Sequence, residues 1–370
     1  MKEWIYKPIV LLLLIGMVGT NYANERKDFT KSIKKEFDIT KDGEVGLSNQ
    51  FGKIEINTWN KSRVKIAVTI IARTNTEDQA QEIFDRISID FANGSNYVRA
   101  NTEIQSSKNN WGWGWGKNSS DFSINYEVFL PKTVELDIAN KHGDTYIVEM
   151  EGNAELDIRH GNITADGFLG NVEIDFAHSN GTLIAAKSLD GEIAHSNIRF
   201  KQIGNTDLET AHCHIGIDNA KEIKLDTRHT NFEMGQIEEL RVDSRHSNFE
   251  IDFVQSIFSE SAHTVYEVDK VAKNVDFDFS HGGATIDLLE KGFEEVVLDG
   301  AHASFRIRVD ESADYELDAY GTHAGIRYPL DLDVTYERDK NNSQEIKGSK
   351  GSGSKGLIKA RLSHGGLRLK

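Results

Sequence analysis

The sequence has few cysteines, few prolines and fewer basic than acidic residues. Among 370 residues there are one cysteine, Cys213, and three prolines, so a disulfide framework is excluded. Lysine and arginine number 43 against 59 aspartates and glutamates, and the formal net charge is −16. Nucleic acid and anionic membrane surfaces are therefore poor partners. Helical patterns are scarce, whereas short apolar alternations separated by Gly, Asn and Asp are frequent, which predicts an all-β protein.

The N-terminus has the layout of a secretory signal. Lys2 and Lys7 precede an apolar run from Ile9 to Val18, and small and polar residues follow up to Ala23. The run is shorter than a typical membrane span. We expect residues 1–23 to be a signal peptide, the mature chain to have no transmembrane span, and the protein to be exported to the periplasm or the cell surface. An uncleaved anchor is the alternative.

A histidine recurs at nearly constant spacing through most of the chain. The steps between successive members are 17 or 18 residues, and the last two are 21. The members are His142, His160, His178, His195, His212, His229, His246, His263, His281, His302 and His323. His214 and His364 fall outside the series, although His364 lies in a similar local pattern. A fixed period predicts a repeat array.

Each repeat reads as strand, corner, strand. In "KLDTRHTNFEMG", Leu225, Thr227 and His229 share one parity, which we interpret as inward, and the inward set resumes at Phe232 after the corner. The residue two after each histidine is mostly Asn, Asp or Gly, which tolerate a left-handed conformation, so we expect it to form the corner. The sequence predicts a parallel β-solenoid with rungs of 17–18 residues, spaced about 4.8 Å apart.

The histidine column allows two interpretations. The rings can pack in a column over one end of the core, with their nitrogens bonded to corner backbone groups. Alternatively they can form a ladder of metal sites, since imidazole is a common metal ligand. Rings in register point the same way and do not converge on one ion, so the structural interpretation is favoured.

Acidic residues form two further series at the same period. The first lies three residues before the histidines and comprises Asp157, Asp175, Glu192, Glu209, Asp226, Asp243, Glu260, Asp278 and Asp299. The second lies two residues earlier and comprises Asp137, Glu155, Glu173, Asp190 and Asp207, after which Lys224 and Arg241 reverse the sign. A solvated acidic face is the favoured interpretation. Calcium binding by Asp157, Asp175, Glu192, Glu209, Asp226 and Asp243 is the alternative, and no other cofactor is expected.

The segment before the array, residues 24–133, is predicted to be a β-rich unit with one helix at about residues 76–87. It contains "NNWGWGWGKNSS" (residues 109–118 span the loop), in which Trp111, Trp113 and Trp115 share one face. Rings folded back on the domain are the favoured interpretation, and an exposed contact for a glycan or an interface is the alternative. The array itself is assigned to residues 134–370, with a flexible loop at 340–356.

Three segments and the recurrent corner resemble a known family. "FGKIEINTWNKSRVKIAVTI", "AQEIFDRISIDF" and "INYEVFLPKTVELDIANKHGDTYI" look like the bacterial β-strand-repeat adhesins, including the auto-transporter adhesin head (GIN) domain group of Bacteroidota. The resemblance covers nearly the whole mature chain. It implies a secreted or periplasmic β-solenoid without an established activity. Relatives often have Tyr-Gly-Asp where this chain has "KHGD", "RHGN" and "AHSN".

An enzyme is the competing class, because some parallel β-helix proteins act on polysaccharides. The carboxylates here repeat evenly and do not cluster once, and the chain has no nucleophile or phosphate-loop motif. We therefore expect a non-enzymatic envelope protein, structural or adhesin-like, that presents its acidic face to an envelope protein or glycan. A calcium-binding solenoid and a polysaccharide-active enzyme are the alternatives.

Overall fold

The computed structural model describes residues 26–105, 121–351 and 356–370. These residues contain twenty-three strands and one helix, so the all-β fold class is confirmed. Their contacts separate the chain after Gly170 into two compact units, unit 1 and unit 2. The predicted boundary near residue 133 stays a prediction.

Unit 1 begins with paired strands and the helix. Its elements are β1 (Lys27–Asp38), β2 (Glu44–Gln50), β3 (Ile54–Thr58), β4 (Arg63–Thr74), α1 (Glu77–Arg86), β5 (Ile87–Asn93), β6 (Tyr97–Ile104), β7 (Phe122–Leu130), β8 (Glu135–Lys141), β9 (Thr145–Ile147), β10 (Ala154–Arg159) and β11 (Asn162–Ala165). Strand β12 (Phe168–Ala177) follows.

The helix α1 lies where its sequence pattern predicts. Thr76 is the N-cap, and its side chain accepts a hydrogen bond from the Gln79 backbone N–H. Glu77 and Asp78 in the first turn suit the positive end of the helix dipole. Ala80 and Phe84 are buried, so the helix contributes one face to the core.

Parallel pairing starts early in unit 1. Strand β2 pairs in parallel with β8, and β3 pairs in parallel with β9. The next strands, β10 and β11, pair in parallel with β8 and β9 in turn. The corner between β2 and β3 therefore has the same pairing as the histidine corners that follow it.

The described residues of unit 2 form strands joined by turns, with no helix among them. The strands are β13 (Asn180–Ala194), β14 (Asn197–Ala211), β15 (His214–Arg228), β16 (Asn231–Arg245), β17 (Asn248–Leu289), β18 (Glu295–Ala301), β19 (Ala303–Val309), β20 (Tyr315–Arg327), β21 (Asp333–Lys340), β22 (Ser343–Lys350) and β23 (Gly356–Leu369).

Successive strands from β13 to β17 pair in parallel with a shift of 17 residues. Ile198 pairs with Ile215, which pairs with Phe232, which pairs with Phe249. A parallel β-solenoid requires a constant shift of this kind between successive strands. Because equivalent side chains lie above one another, inward positions form columns, and the rings of Phe232, Phe249 and Tyr266 stack with centroids 4.7 and 4.5 Å apart.

The last strands do not follow chain order. Strand β23 pairs in parallel with β18 and β19 on one side and with β20 on the other. The C-terminal strand therefore lies between segments that precede it. Strand β22 then pairs antiparallel with β20, and β21 pairs antiparallel with β22.

The expected flexible loop at 340–356 is wrong for residues 343–350, which form strand β22. Asn341 and Asn342 have φ of 54° and 61° and make the two-residue turn between β21 and β22. Consecutive positive φ values are typical of the hairpin turn that matches strand twist, and asparagine tolerates them. The Gly-Ser composition of the segment concealed this hairpin. Residues 352–355 lie outside the described part.

Candidate functional site: the histidine column and the acidic face

The repeated histidines are the left-handed residues of the corners. Ten of the eleven in the predicted series have φ between 51° and 58°, as does His364. The expectation that the left-handed residue lies two positions later is wrong, since Asn231 and its equivalents do not have positive φ. Histidine is among the side chains enriched in this region of backbone space. His281 is the exception, and there Gly282 takes a φ of 122°.

The histidine side chains are exposed, so the expectation that they pack inward is wrong. In the corner at His229, Leu225 and Thr227 are buried, His229 is exposed, and Thr230 and Phe232 are buried. The histidine is the inserted residue that shifts the parity, as in a one-residue bulge. The sequence pattern alone does not distinguish an extra residue at His229 from one at Asn231, because either insertion makes Phe232 point inward.

The residue after the histidine is small at every corner, and in the regular part of unit 2 it is also buried. In the regular part of unit 2 its side chain bonds within the corner; the members are Ser179, Ser196, Cys213, Thr230, Ser247 and Thr264. The Thr230 hydroxyl donates to the Arg228 carbonyl at 3.1 Å and accepts from the Cys213 N–H at 3.3 Å. A polar side-chain ladder thus satisfies corner backbone groups that the bulge removes from the strands.

Cys213 is the thiol member of this ladder. Its Sγ lies 3.2 Å from both the Ile193 and Ala211 carbonyl oxygens, and burial raises the pKa of the thiol. His214, which falls outside the histidine series, occupies the position of Asn197 and Asn231 in the neighbouring strands. The irregular "AHCHIG" is therefore one more standard corner.

The exposed imidazoles stack face to face. In unit 2, from His178 to His281, the ring centroids of neighbours lie 4.7–5.0 Å apart, with interplanar angles of 1–16°. His281 stacks on His302, His302 on His364, and His364 on His323. His364 thus belongs to the column, at the place where β23 is inserted.

Unit 1 has its own short ring column, and its first member is not a histidine. Phe51 has φ of 60°, and its ring lies 5.1 Å from His142, which lies 4.9 Å from His160. Sequence reasoning missed Phe51 because only histidines were counted. The signal that identifies it is the following glycine. A Cβ at Gly143 would lie 1.9 Å from the Gly52 carbonyl oxygen, and a Cβ at Gly52 would lie 2.1 Å from the Ile124 carbonyl oxygen, so both corners need glycine there.

The acidic residues align as predicted by the period. Glu192, Glu209, Asp226, Asp243 and Glu260 are register partners on consecutive strands, and all are exposed. Farther along, Asp278 pairs with Asp299, and burial followed by the Asp278 charge raises the pKa of Asp299. We call the five-strand series from Glu192 to Glu260 the acidic column.

The second acidic series changes from negative to positive charge between Asp207 and Lys224, as the period predicts. Asp190 pairs with Asp207, Asp207 with Lys224, and Lys224 with Arg241. The Lys224 Nζ lies 2.7 Å from the Asp207 carboxylate, and this hydrogen bond raises the pKa of Lys224. In unit 1, Asp137 pairs with Glu155, and burial raises the pKa of Asp137.

The carboxylates of the acidic column do not converge. Within residues 26–105, 121–351 and 356–370, no three His, Cys, Asp or Glu side chains are arranged to hold a metal ion. Asp157 is bonded to Arg159 at 2.7 Å. Calcium binding by Asp157, Asp175, Glu192, Glu209, Asp226 and Asp243 stays a prediction. Trp111, Trp113 and Trp115 and the signal peptide lie outside the described residues.

Comparison with solved structures gives a distant likeness. No family model and no curated protein matches the chain. A solved structure from Clostridium sporogenes, described as a "putative cell adhesion protein", is 11% identical, and the match covers 92% of this chain and 99% of that one. Its TM-score of 0.19 carries no argument about fold or function. In the described residues, no helix has the length and apolarity that crossing a membrane requires.

Proposed function

We propose that the protein is an exported, non-enzymatic envelope protein that binds its partner through the acidic column. The observation that carries this proposal is the register of Glu192, Glu209, Asp226, Asp243 and Glu260, which repeats one exposed carboxylate per strand. A ligand with evenly spaced positive or hydroxyl groups can contact many equivalent positions at once, which adds weak contacts into useful avidity.

Equal spacing also supports binding over catalysis. General acid and base groups need different environments at one point so that their pKa values separate. Glu209, Asp226 and Asp243 are instead exposed and equivalent by register. The N-terminal layout of Lys2, Lys7 and the apolar run supports export. The Trp loop at residues 109–118 is a second candidate contact, which the sequence alone supports.

The proposal is tested by sedimenting the purified mature protein with isolated cell envelopes. We expect the wild type to cosediment and the Glu209→Lys/Asp226→Lys/Asp243→Lys variant to stay in the supernatant. The control is Glu82→Lys/Asp85→Lys/Asp90→Lys, which makes the same charge change at exposed positions of α1 and β5. Equal binding by both variants would contradict the acidic column, and sustained turnover of an envelope polysaccharide would contradict the non-enzymatic assignment.

A further inference from the structure

One exposed column of unit 2 is acidic at one end and basic at the other. The position four residues after each column histidine points away from the core on the second strand of the repeat. In spatial order its last seven members are Glu233, Glu250, Glu267, Thr285, Arg306, Arg368 and Arg327. Three acids, one neutral residue and three arginines follow one another, and we call this series the charge-reversal column.

The order is fixed by register. Glu233 pairs with Glu250, Thr285 with Arg306, Arg306 with Arg368, and Arg368 with Arg327. The step from Glu250 to Glu267 follows from the stacked rings of Phe249 and Tyr266, which immediately precede them. The insertion of β23 is what places Arg368 between Arg306 and Arg327, so chain order alone conceals the symmetry.

The three arginines have no ion-pair partner among the described residues. Across the described ranges, none of Arg306, Arg368 and Arg327 lies in an ion pair, whereas Arg199 and Arg241 each pair with a carboxylate. Adjacent strands hold these like charges within a Debye length of one another. Glu250 and Glu267 also have no ion pair in the described parts, and Glu233 meets only Arg199 at 3.6 Å and His214 at 3.3 Å.

In a neighbouring column, side-chain size differs between the acidic half and the basic half. Two residues after each histidine, in the same spatial order, lie Asn231, Asn248, Val265, Gly283, Ser304, Gly366 and Gly325. Larger side chains occupy the acidic half, and glycine and serine occupy the basic half. Gly283, Ser304, Gly366 and Gly325 line a concave region of about 520 Å³, and the Val265 side chain at its border is 45% exposed.

We propose that this face binds a second copy of the chain around a two-fold axis that runs along the strand direction at Thr285. This rotation reverses the order of the strands in the second copy but keeps the position along each strand. A residue four positions after a histidine therefore faces a residue at the same position in the second copy. Glu233 then faces Arg327 of the second copy, Glu250 faces Arg368, and Glu267 faces Arg306. Thr285 faces Thr285.

The same operation matches the neighbouring columns. Asn248 enters the space above Gly366 of the second copy, and Val265 enters the space above Ser304. Six residues after the histidines, Asp252 faces Lys370 and Asp269 faces Arg308. Asp287 faces Asp287 of the second copy. Within each copy, the Arg308 Nε donates a hydrogen bond to the Asp287 carbonyl oxygen.

The size of the face predicts a weak dimer. Seven strands at 4.8 Å and five residues along each strand give a patch of about 30 by 17 Å, or about 500 Å² per copy. Such an area is at the lower end of specific interfaces. Because the contacts are mainly exposed ion pairs, we expect association at low ionic strength and dissociation at high salt.

Sedimentation velocity of the mature protein tests the proposal, which does not depend on the function proposed above. We expect dimer formation in about 0.05 M salt and monomer in about 0.5 M salt. Arg368→Glu should raise the dimer dissociation constant at least tenfold, because the symmetry breaks two contacts. Combining it with Glu250→Arg should restore the wild-type constant. Arg245→Glu, the same charge change on another face, is the control.

Three results would overturn the proposal. The first is a wild type that stays monomeric in low salt up to about 100 μM, beyond the range of a useful weak interface. The second is a dimer that Arg368→Glu leaves unchanged. The third is a monomer that binds polygalacturonate through Arg306, Arg368 and Arg327, which would make the basic half a site for acidic glycans.

Discussion

The regular strands of unit 2, from β13 to the corner at His263, and its C-terminal strands, from His281 onward, build the same corner with different side chains. The regular corners place Ser, Thr or Cys after the histidine, and these side chains bond the corner backbone. The C-terminal corners have Gly282, Ala303, Gly365 and Ala324 in this position. The first region fixes its corners with side-chain hydrogen bonds, whereas in the second Gly282 and Gly365 bring the corner close to the Thr264 and Ala303 carbonyl oxygens of neighbouring strands.

The difference follows from chain order. In the regular region each strand is added to the one before it, at a constant step of 17 residues. In the C-terminal region β23 lies between β19 and β20, so the corner at His364 must fit between two strands that belong to earlier segments. Gly365 meets that requirement because a Cβ there would lie 1.8 Å from the Ala303 carbonyl oxygen.

The strongest test of the backbone contact is Gly365→Ala. The added Cβ overlaps a backbone oxygen that is fixed by its strand, so we expect a loss of about 3 kcal/mol in the free energy of unfolding. The control is Gly325→Ala in the adjacent strand, where an added Cβ meets no atom of the described residues within 4 Å. We expect that variant to be unchanged or slightly stabilised. Urea unfolding in high salt measures both, and equal losses would contradict a specific close contact at Gly365.

The side-chain ladder of the regular corners is tested by Thr230→Val. The substitution keeps the shape but removes the hydroxyl that serves Arg228 and Cys213, so we expect a loss of about 2 kcal/mol. Thr206 is the matched control, since its buried hydroxyl has no hydrogen-bond partner among the residues that the structure describes. Thr206→Val should be neutral or stabilising in the same urea titration. If the two variants lose the same stability, the ladder does not stabilise the corner.

The left-handed conformation common to both regions is tested by His229→Val. A β-branched side chain disfavours positive φ, so we expect a loss of about 1–2 kcal/mol, whereas His229→Asn should stay within about 0.5 kcal/mol of the wild type. Thermal unfolding of the two variants measures the difference. A destabilised asparagine variant would show that ring stacking, and not backbone conformation, selects histidine.

The smallest expected effect concerns charge at Asp299. Burial and then Asp278 raise its pKa above the unfolded value, so its ionised form is disfavoured in the folded state. The stability that protonation supplies is present below pH of about 3.9 and is lost as the pH rises through the folded pKa. Asp299→Asn should therefore be slightly more stable than the wild type at pH 7, by no more than about 0.5 kcal/mol, with the difference vanishing near pH 4. A less stable variant at pH 7 would contradict this sign.

The period made much of unit 2 predictable from sequence. It placed the aligned inward pairs such as Phe249 and Ile251, the acidic column and the sign change at Lys224, because a constant step in a parallel stack transfers directly into register. It did not identify the left-handed residue, since parity is the same for an insertion at His229 or at Asn231. A planar ring of another residue type can occupy the same column, so a search for histidines alone does not find Phe51.

The C-terminal arrangement was not predictable in the same way. Nothing in the step of 21 residues from His302 to His323 indicates that a strand from 41 residues farther along separates them. That fact requires the pairing of distant segments, which local patterns do not encode. The charge-reversal column was hidden for the same reason, since its arginines are symmetric only in spatial order.

The position of β23 also has a temporal consequence. A growing chain can add β13 to β17 one after another, but β20 gains its parallel neighbour among the described strands only when residues 356–369 have been synthesised. Folding of this part of unit 2 therefore waits for a segment far along the chain, and a chain that stopped before residue 356 would expose the edges of β19 and β20, which invite association.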